Sequence, residues 1–359
     1  MRPRILIALF VCALALAQGL SRENAYQRAE ALKSLGRKLF FDSALSSSGK
    51  TSCATCHDPR FAYGPAEATP IPPGVRAVPS LRYLQAIPPF SEHYVDADTS
   101  GDDSVDNGPT GGLTWDGRVD RGRDQARLPL LSPNEMANLN PASVVKRVLE
   151  RPYADELRQL AGSNDVFEMI LEALEVWQQD YPEFYPYSSK FDSWLAGKSE
   201  LTPTERRGYE LFIDSKKGDC SRCHIAERGT KGTPPQFTDY GLIAIGVARN
   251  SEIAANADPN WFDLGLCGPF RTDLMFNPDY CGRFRTPTLR NVALRKSFFH
   301  NGVAHSLKEA VSFYAHRDEK VSDLPLRYQV NLEPLSVKLT DDEIADIVTF
   351  LETLTDVSH

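Results

Sequence analysis

The sequence predicts a mainly α-helical fold in which two related halves are connected by long loops. Segments 165–180 and 340–355 carry apolar residues at helical spacing, and Thr340 and Glu343 form a capping box at the start of the second segment. No segment has sustained strand alternation bounded by hairpin turns. An internal repeat then divides the helical chain in two.

The internal repeat pairs the sequence GRKLFFDS at 36–43 with GYELFIDS at 208–215. Each copy has the pattern of the end of an amphipathic helix, with Leu and Phe on the inner face and Asp-Ser ending the helix. We expect one domain to be built around each copy. The boundary is predicted within 185–202, which divides the chain into an N-terminal domain of residues 18–195 and a C-terminal domain of residues 196–359.

Composition and charge restrict the classes to which the protein can belong. Its 359 residues are 42% hydrophobic and 25% charged, which excludes disordered and fibrous classes and allows two packed domains. The formal net charge of -8 provides no general attraction to the phosphate backbone of a nucleic acid. We therefore expect no nucleic-acid partner, and a neutral or cationic protein partner instead.

The first residues have the pattern of an export signal. Positive charge in residues 1–4 precedes an apolar run at 5–17, which is short for a membrane span and typical of a signal-peptide core. The sequence therefore predicts a signal peptide at residues 1–17, with an uncleaved anchor as the alternative. No later segment is apolar enough to cross a membrane. We expect a periplasmic protein in an oxidising compartment.

Two C-x-x-C-H motifs predict the chemistry of the chain. In each motif, two thiols can bond to the vinyl groups of one porphyrin, and the following imidazole can bind its iron. The attachment thiols and iron-binding histidines are Cys53, Cys56 and His57 in the first motif, and Cys220, Cys223 and His224 in the second. The sequence thus predicts two covalently bound c-type haems. A zinc site and a thioredoxin-like dithiol are the alternatives, and neither requires a histidine directly after both pairs.

Two loops carry features of their own. Cys267 and Cys281 are predicted to form a disulfide that restrains a Gly- and Pro-rich loop, with two free thiols as the alternative. Segment 91–112 is acidic and Gly-rich but lacks the glutamate of an EF-hand, which favours a solvated loop over a calcium loop. Its acidic residues are Asp96, Asp98, Asp102, Asp103 and Asp106.

Five further blocks of the sequence resemble a known family. They are WDGR at 115–118, Pro129, NEM at 134–136, TPTLRNVA at 286–293 and FHNG at 299–302. In this order, and together with the two haem motifs, they resemble the bacterial dihaem cytochrome c peroxidase and MauG family over residues 35–354. The resemblance implies two cytochrome c-like haem domains, hydrogen peroxide as the oxidant, and a protein substrate or a small redox protein as the partner.

The resemblance also implies roles for three residues near the first haem. Trp115 matches a tryptophan that relays electrons between the haems, and core packing is the alternative for a single tryptophan. Gln125 and Glu135 match residues that line the peroxide pocket, where a carboxylate can carry the proton that O–O cleavage requires. Considered without the resemblance, Glu135 is a first-turn helix residue that interacts with the helix dipole.

The resemblance predicts that the first haem has an open distal face. In the classical peroxidases of the family a histidine blocks this face, and the position that matches it here is Thr69. Between the first motif and Trp115 the sequence has one histidine, His93, which lies in the acidic loop. We therefore expect a five-coordinate first haem that needs no reductive activation.

The distal ligand of the second haem separates the subfamilies. At the matching position MauG-type enzymes have a tyrosine and cytochrome c peroxidases have a methionine, and this chain has Tyr314. An anionic phenolate lowers the potential of a haem, so Tyr314 implies an Fe(IV)/Fe(IV) state shared by the two irons. A buried core tyrosine is the alternative role, and Met275 and His316 are the rival ligands.

Two positions depart from the family pattern. Family members bind calcium between the haems through an asparagine, which is Ala77 here, and through backbone carbonyls that match Arg295 and Ser297. Calcium is therefore disfavoured, although carbonyls and water remain as ligands. MauG also has a surface tryptophan two residues before its second motif, where this chain has Gly218. Other exits for the oxidising equivalents are tyrosines or Trp177, Trp194 and Trp261.

Three functions are consistent with these features. The first is a peroxide-dependent dihaem oxidase that modifies a tryptophan of a partner protein by kynurenine- or quinone-type oxidation. The altered exit residue favours the kynurenine type. The alternative is a cytochrome c peroxidase that reduces hydrogen peroxide with electrons from a small donor protein. The third is an electron-transfer module without enzymatic activity.

Overall fold

The computed structural model describes residues 22–68, 74–95, 106–229, 232–319 and 322–357. The positions outside these ranges include the predicted signal peptide, Thr69, Asp96, Asp98, Asp102 and Asp103. Helices account for most of the regular structure, so the prediction of a mainly α-helical chain is confirmed. Each helix in the described part of the chain is too short or too polar to pass through a bilayer.

The helices are numbered in chain order. The α-helices are α1 (Arg22–Phe41), α2 (Cys53–Cys56), α3 (Gly122–Leu131), α4 (Pro141–Val148), α5 (Ala154–Ala161), α6 (Val166–Trp177), α7 (Tyr181–Phe184), α8 (Lys190–Leu195), α9 (Pro203–Ile213), α10 (Leu307–His316) and α11 (Asp341–Glu352). Short 3-10 helices are Ser43–Leu45, Pro59–Phe61, Leu84–Ala86, Cys220–Arg222, Ala254–Ala257, Pro278–Tyr280, Val292–Leu294, Arg317–Glu319 and Leu326–Asn331. A small antiparallel sheet pairs β1 (Leu242–Ile243) with β2 (Phe284–Arg285), with Leu242 opposite Arg285.

Buried side chains form two large clusters and a smaller third one. The first cluster is drawn from residues 32–185, and the second from residues 191–354. The third contains Cys267 and Cys281, whose disulfide confirms the predicted pairing. The limits of the two domains stay a prediction. Phe191 lies within the expected boundary segment, before residue 196, and packs in the second cluster.

The internal repeat ends its two helices in the same way. α1 ends at Phe41 and α9 ends at Ile213, so the predicted helix ends before Asp-Ser are confirmed. Asp42 and Asp214 then each accept a 2.8 Å hydrogen bond from the backbone nitrogen two residues later. This local turn directs the chain away from the helix and toward the following cysteine motif.

The glycine of each repeat allows two helices to approach closely. α1 packs on α6 in the first cluster, and α9 packs on α11 in the second. A Cβ atom at Gly36 would lie 2.0 Å from the carbonyl oxygen of Ala173, and one at Gly208 would lie 2.0 Å from that of Asp346. Packed interiors leave no room for such an overlap. The repeated glycine is therefore required by the helix pair that closes each half.

The two predicted helical segments are also present. α6 occupies most of segment 165–180, and α11 begins at Asp341. Thr340 is the N-cap of α11, and Glu343 completes the predicted capping box, which is confirmed. Both helices bury an apolar face against the repeat helix of their own half, so sequence periodicity and packing agree.

We expect Gly208→Ala to destabilise the protein by about 1–3 kcal/mol, because the new methyl group overlaps the Asp346 carbonyl and forces α9 away from α11. Thermal unfolding followed by circular dichroism measures the change. Gly229→Ala is the matched control, since its Cβ would lie 3.5 Å from Thr233, at ordinary contact distance. Equal melting temperatures for the two variants would contradict the requirement for a close helix approach.

Candidate functional site

Both C-x-x-C-H motifs lie in helical turns that begin at the first cysteine. α2 carries the first motif, with Ser52 as its N-cap. The second motif starts a 3-10 turn directly after Asp219, whose φ of 47° reverses the chain. In both motifs the backbone N–H of the histidine donates to the carbonyl of the first cysteine at 2.9 Å. Two thiols and one imidazole are thus presented from a single turn in each half.

The two motif histidines are oriented by backbone carbonyls. His57 Nδ1 lies 2.9 Å from the carbonyl oxygen of Tyr63, and His224 Nδ1 lies 2.9 Å from that of Phe237. Burial lowers the pKa of each imidazole to about 4, so both rings are neutral at physiological pH. A neutral ring that donates from Nδ1 has its lone pair on Nε2, which is the form that binds iron.

A second repeat, which the helix and motif patterns did not predict, hydrogen-bonds to the same two carbonyls. Pro-Ser-Leu-Arg at 79–82 and Pro-Thr-Leu-Arg at 287–290 run past the two histidines. In each copy the leucine nitrogen donates, at 3.3 Å, to the carbonyl that holds the imidazole. The Ser80 and Thr288 hydroxyls donate to the preceding carbonyls at 2.5 and 2.7 Å. The sequence signal was a four-residue segment in each half, identical at three positions and Ser or Thr at the other, located well beyond the first repeat.

Tyr314 lies on α10, in one cavity with the second motif. Cys220, Cys223, His224 and Tyr314 all line this cavity, which extends to Trp115. Burial raises the pKa of Tyr314, and the nearby thiols of the motif raise it further. The phenol therefore shares one cavity with the histidine of the second motif.

The other candidate ligands lie on the surface. Met275 is 49% exposed, and His316 is exposed at the end of α10. His93 is exposed in the acidic loop and pairs with Asp106 at 2.6 Å. None of these three residues contributes to the described wall of the cavity. Of the ligands considered from the sequence, the structure brings Tyr314 to the second motif.

Trp115 is held between the two halves by its indole and by its backbone. Its Nε1–H donates to the carbonyl of Ala77 at 2.8 Å, and the Ala77 nitrogen donates to the carbonyl of His300 at 2.7 Å. The Trp115 carbonyl accepts a hydrogen bond of 2.9 Å from the backbone nitrogen of Arg285 in β2. The ring is 8% exposed and has one defined position in the cavity wall.

Asp116, next to Trp115, is the centre of a buried charge cluster. Its carboxylate accepts hydrogen bonds from Arg76 at 2.7 Å and from Arg118 at 2.8 Å. Burial alone would raise the pKa of Asp116, but the two guanidinium groups outweigh burial and lower it. Arg76 also pairs with Asp263 of the C-terminal half at 2.7 Å. The cluster holds the turn that carries Trp115 and connects it to both halves.

Gln125 and Glu135 flank the end of α3. Gln125 is half-buried on the helix, and Glu135 lies in the turn that follows. The interpretation of Glu135 as a first-turn helix residue is wrong, since the next helix begins only at Pro141. The Glu135 side chain is exposed, yet the protein around it desolvates the carboxyl group enough to raise its pKa. Its charge also raises the pKa of the Cys56 thiol, so Glu135 lies beside the first motif.

Two polar groups in the cavity wall suit the carboxylates of a haem. The Tyr240 hydroxyl is buried and has no hydrogen-bond partner among the described residues. Arg285 is 7% exposed, and its Nε–H donates to the Thr114 carbonyl at 3.1 Å. Burial lowers the pKa of Arg285 to about 10, so its guanidinium is still cationic at neutral pH. An anionic group in the cavity would satisfy both side chains.

Comparison with known proteins identifies the family. A family model of di-haem cytochrome c peroxidases matches residues 30–200. The methylamine utilization protein MauG of Paracoccus denitrificans (strain Pd 1222) is 31% identical over 93% of this chain and 91% of its own length. The chain belongs to the dihaem cytochrome c peroxidase and MauG family. The resemblance inferred from the sequence blocks is confirmed.

Solved structures agree with this family assignment. A tyrosine-to-methionine variant of the diheme peroxidase BthA from Burkholderia thailandensis E264 is similar to this chain with a TM-score of 0.81 and 32% identity, covering 91% of this chain and 86% of that one. A MauG-like protein associated with microbial copper homeostasis is similar with a TM-score of 0.67 and 25% identity, covering 91% and 90%. The fold is that of the dihaem peroxidases.

As a member of this family, the dihaem protein is an oxidoreductase that acts on peroxide and carries two c-type haems. The described residues fit two such groups, because each half offers two thiols and a neutral imidazole from one turn. The cavity adds the phenol of Tyr314 near the second motif, and Tyr240 and Arg285 for carboxylates. The haems supply redox chemistry, and the chain supplies their attachment, orientation and charge balance.

The three tryptophans considered as exits lie in different surroundings. Trp177 is 1% exposed, within the first core cluster of the dihaem protein. Trp194 is half-buried on α8 and packs against Phe191. Trp261 is half-buried and also lines the cavity that contains the second motif. Trp261 therefore connects this cavity with the protein surface.

We expect Asp116→Asn to lower stability by about 3–5 kcal/mol, because it removes the carboxylate that Arg76 and Arg118 share in a buried site. In the wild type the lowered pKa of Asp116 makes its contribution complete above pH ~4, and the contribution is lost as the pH falls through the folded-state pKa. Melting temperatures measured from neutral to acid pH check both effects.

The exposed Asp124→Asn is the matched control for this variant. It should leave the melting temperature and its acid dependence unchanged. An Asp116→Asn protein that melts like the wild type at neutral pH would contradict the structural role of the cluster.

Proposed function

We propose that the protein is an exported dihaem oxidase that uses hydrogen peroxide at the first haem site and stores two oxidising equivalents across both sites. It then uses these equivalents to withdraw electrons from a tryptophan side chain of a partner protein. The observation that carries the proposal is Tyr314 in the cavity of the second motif. A phenolate ligand favours an electron-poor iron, whereas a methionine ligand favours a reduced, electron-storing haem.

The residues near the first motif support a proton-transfer role. When bound, the haem at His57 supplies the iron that cleaves the O–O bond of hydrogen peroxide. Glu135 takes the proton from one peroxide oxygen and transfers it to the other, which leaves as water. Desolvation raises the pKa of Glu135, which brings its proton affinity closer to that required at neutral pH. Gln125, on the preceding helix, positions the peroxide by hydrogen bonding.

The position of Trp115 supports a relay between the two haem sites. Its indole is fixed by Ala77 and its backbone by Arg285, so it cannot rotate out of the cavity wall. Reduction of hydrogen peroxide to two waters consumes two electrons and two protons. The second site supplies one of these electrons, which reaches the first site through Trp115. The oxidising equivalents are then shared until the partner is oxidised.

The partner side of the reaction is proposed from the surface and from the sequence. Trp261 lines the cavity and is half-buried, which supports it as the exit in place of the tryptophan missing at Gly218. The absence of the exit tryptophan at Gly218 supports a kynurenine-type product over a quinone-type one. The partner's indole loses two electrons for each peroxide reduced.

A second candidate function is a cytochrome c peroxidase that takes electrons from a small donor protein. The match of residues 30–200 to the di-haem cytochrome c peroxidase family favours this function. The two functions share the first haem site and differ at the second. The role of Tyr314 and the response of the oxidised protein to peroxide therefore distinguish the two functions.

We expect hydrogen peroxide added to the fully oxidised protein to bleach the ferric Soret band and to produce a slowly decaying near-infrared charge-resonance band. In Tyr314→His the near-infrared band should be absent, because the second haem loses its anionic ligand while the first still reacts. Absorption spectra recorded after one equivalent of peroxide measure both effects. Persistence of the band in Tyr314→His would refute the role assigned to the phenol.

Tyr328→Phe is the matched control, since this half-buried tyrosine packs against the third cluster and does not line the cavity. It should retain the near-infrared band. Donor oxidation that starts only after partial reduction would instead support a cytochrome c peroxidase. A protein that shows no spectral response to peroxide would support an electron-transfer module.

We expect Glu135→Gln to slow the reaction with peroxide by at least ~100-fold, because an amide cannot carry the proton between the two peroxide oxygens. Stopped-flow decay of the ferric Soret band measures the rate constant. Glu150→Gln, at an exposed position away from the motif, is the control and should react like the wild type. A Glu135→Gln rate within a few-fold of the control would exclude Glu135 as the proton carrier.

A further inference from the structure

The residues at the calcium position of the family do not fit a calcium ion in this chain. Ala77 replaces the expected asparagine, so no side-chain oxygen is available there. The Ala77 carbonyl accepts the 2.8 Å hydrogen bond from Trp115, and its nitrogen donates to His300. The backbone at this position is therefore committed to other partners.

The guanidinium group of Arg295 donates hydrogen bonds to two backbone carbonyls of this region. Arg295 Nε–H donates to the carbonyl oxygen of Ser297 at 3.2 Å, and Arg295 Nη2–H donates to the carbonyl oxygen of Val78 at 3.3 Å. Ser297 carries one of the two carbonyls expected to bind calcium, and Val78 directly follows Ala77. The cation of Arg295 and a calcium ion would compete for the carbonyl oxygen of Ser297 and repel each other.

The charge of Arg295 is not neutralised by a carboxylate of the described chain. Burial lowers the pKa of Arg295 to about 10, and no acidic group raises it. Arg76 differs in this respect, because Asp116 and Asp263 surround its guanidinium. Arg295 therefore brings a net positive charge into the cavity wall at neutral pH, as a bound cation would.

We propose that the guanidinium of Arg295 replaces the calcium ion that other family members hold between the two haems, so that this protein needs no metal ion at this position. The contacts of Arg295 also define what this built-in cation does. It joins Val78 of the N-terminal half to Ser297 of the C-terminal half, beside the carbonyl that holds Trp115. The cation thus restrains the boundary between the halves without dependence on the calcium concentration.

The metal content of the haem-loaded wild-type protein tests the proposal directly and does not require peroxide activity. Calcium measured by inductively coupled plasma mass spectrometry should be well below one ion per chain. Dialysis against EGTA should change neither the melting temperature nor the electron paramagnetic resonance spectrum of the ferric haems. One calcium ion retained per chain, or a spectrum that changes with EGTA and recovers with calcium, would overturn the proposal.

Variants at Arg295 test the positive role of the guanidinium. Arg295→Met should lower the melting temperature by several degrees and alter the ferric haem spectrum, whereas Arg295→Lys should retain part of both properties. Lys296→Met is the matched control, since it removes the same charge at the adjacent exposed position and should resemble the wild type. An Arg295→Met protein with wild-type melting and spectrum would overturn the proposal. If Arg295→Met does not fold, Arg295→Lys and the metal content of the wild type still test the proposal.

Discussion

A hydrogen bond from an imidazole Nδ1 to a backbone carbonyl is the contact on which both haem sites depend. It selects the neutral form of His57 and of His224 in which Nε2 carries the lone pair, and it points each ring in one direction. The carbonyl can do this because a Pro-Ser-Leu-Arg or Pro-Thr-Leu-Arg segment binds the same stretch of backbone. Each haem motif supplies a ligand, and a segment far along the chain supplies its orientation.

These orienting segments are also connected to each other. Arg82, the last residue of the first segment, and Tyr83, which directly follows it, donate to the carboxylate of Asp356 at 3.3 and 2.8 Å. Asn291, which directly follows the second segment, donates to the same carboxylate at 2.7 Å. Asp356 is buried, so its charge is stabilised by these donors and not by water. The two orienting segments are therefore joined through one buried carboxylate.

Sequence patterns were informative where the relevant residues are neighbours in the chain. The Asp-Ser helix ends and the Thr340 capping box each involve a few consecutive residues, and both were predicted correctly. Contacts between distant residues leave no such pattern. Arg76 and Asp263 are 187 residues apart, and periodicity cannot indicate which distant carboxylate a side chain will meet. The error at Glu135 has a local cause, since Ser-Pro-Asn-Glu at 132–135 has the spacing of a helix start but forms a turn.

The position of Trp115 depends on the boundary between the two halves as much as on its own side chain. Its indole is bonded to the N-terminal half through Ala77, and its backbone to the C-terminal half through Arg285. A relay attached to one half alone would change its distance to the other haem whenever the halves moved. Both attachments, together with the contact of Arg295 with Val78 one residue from Ala77, hold the indole at this boundary. The relay proposed for Trp115 therefore depends on this boundary as well as on the indole.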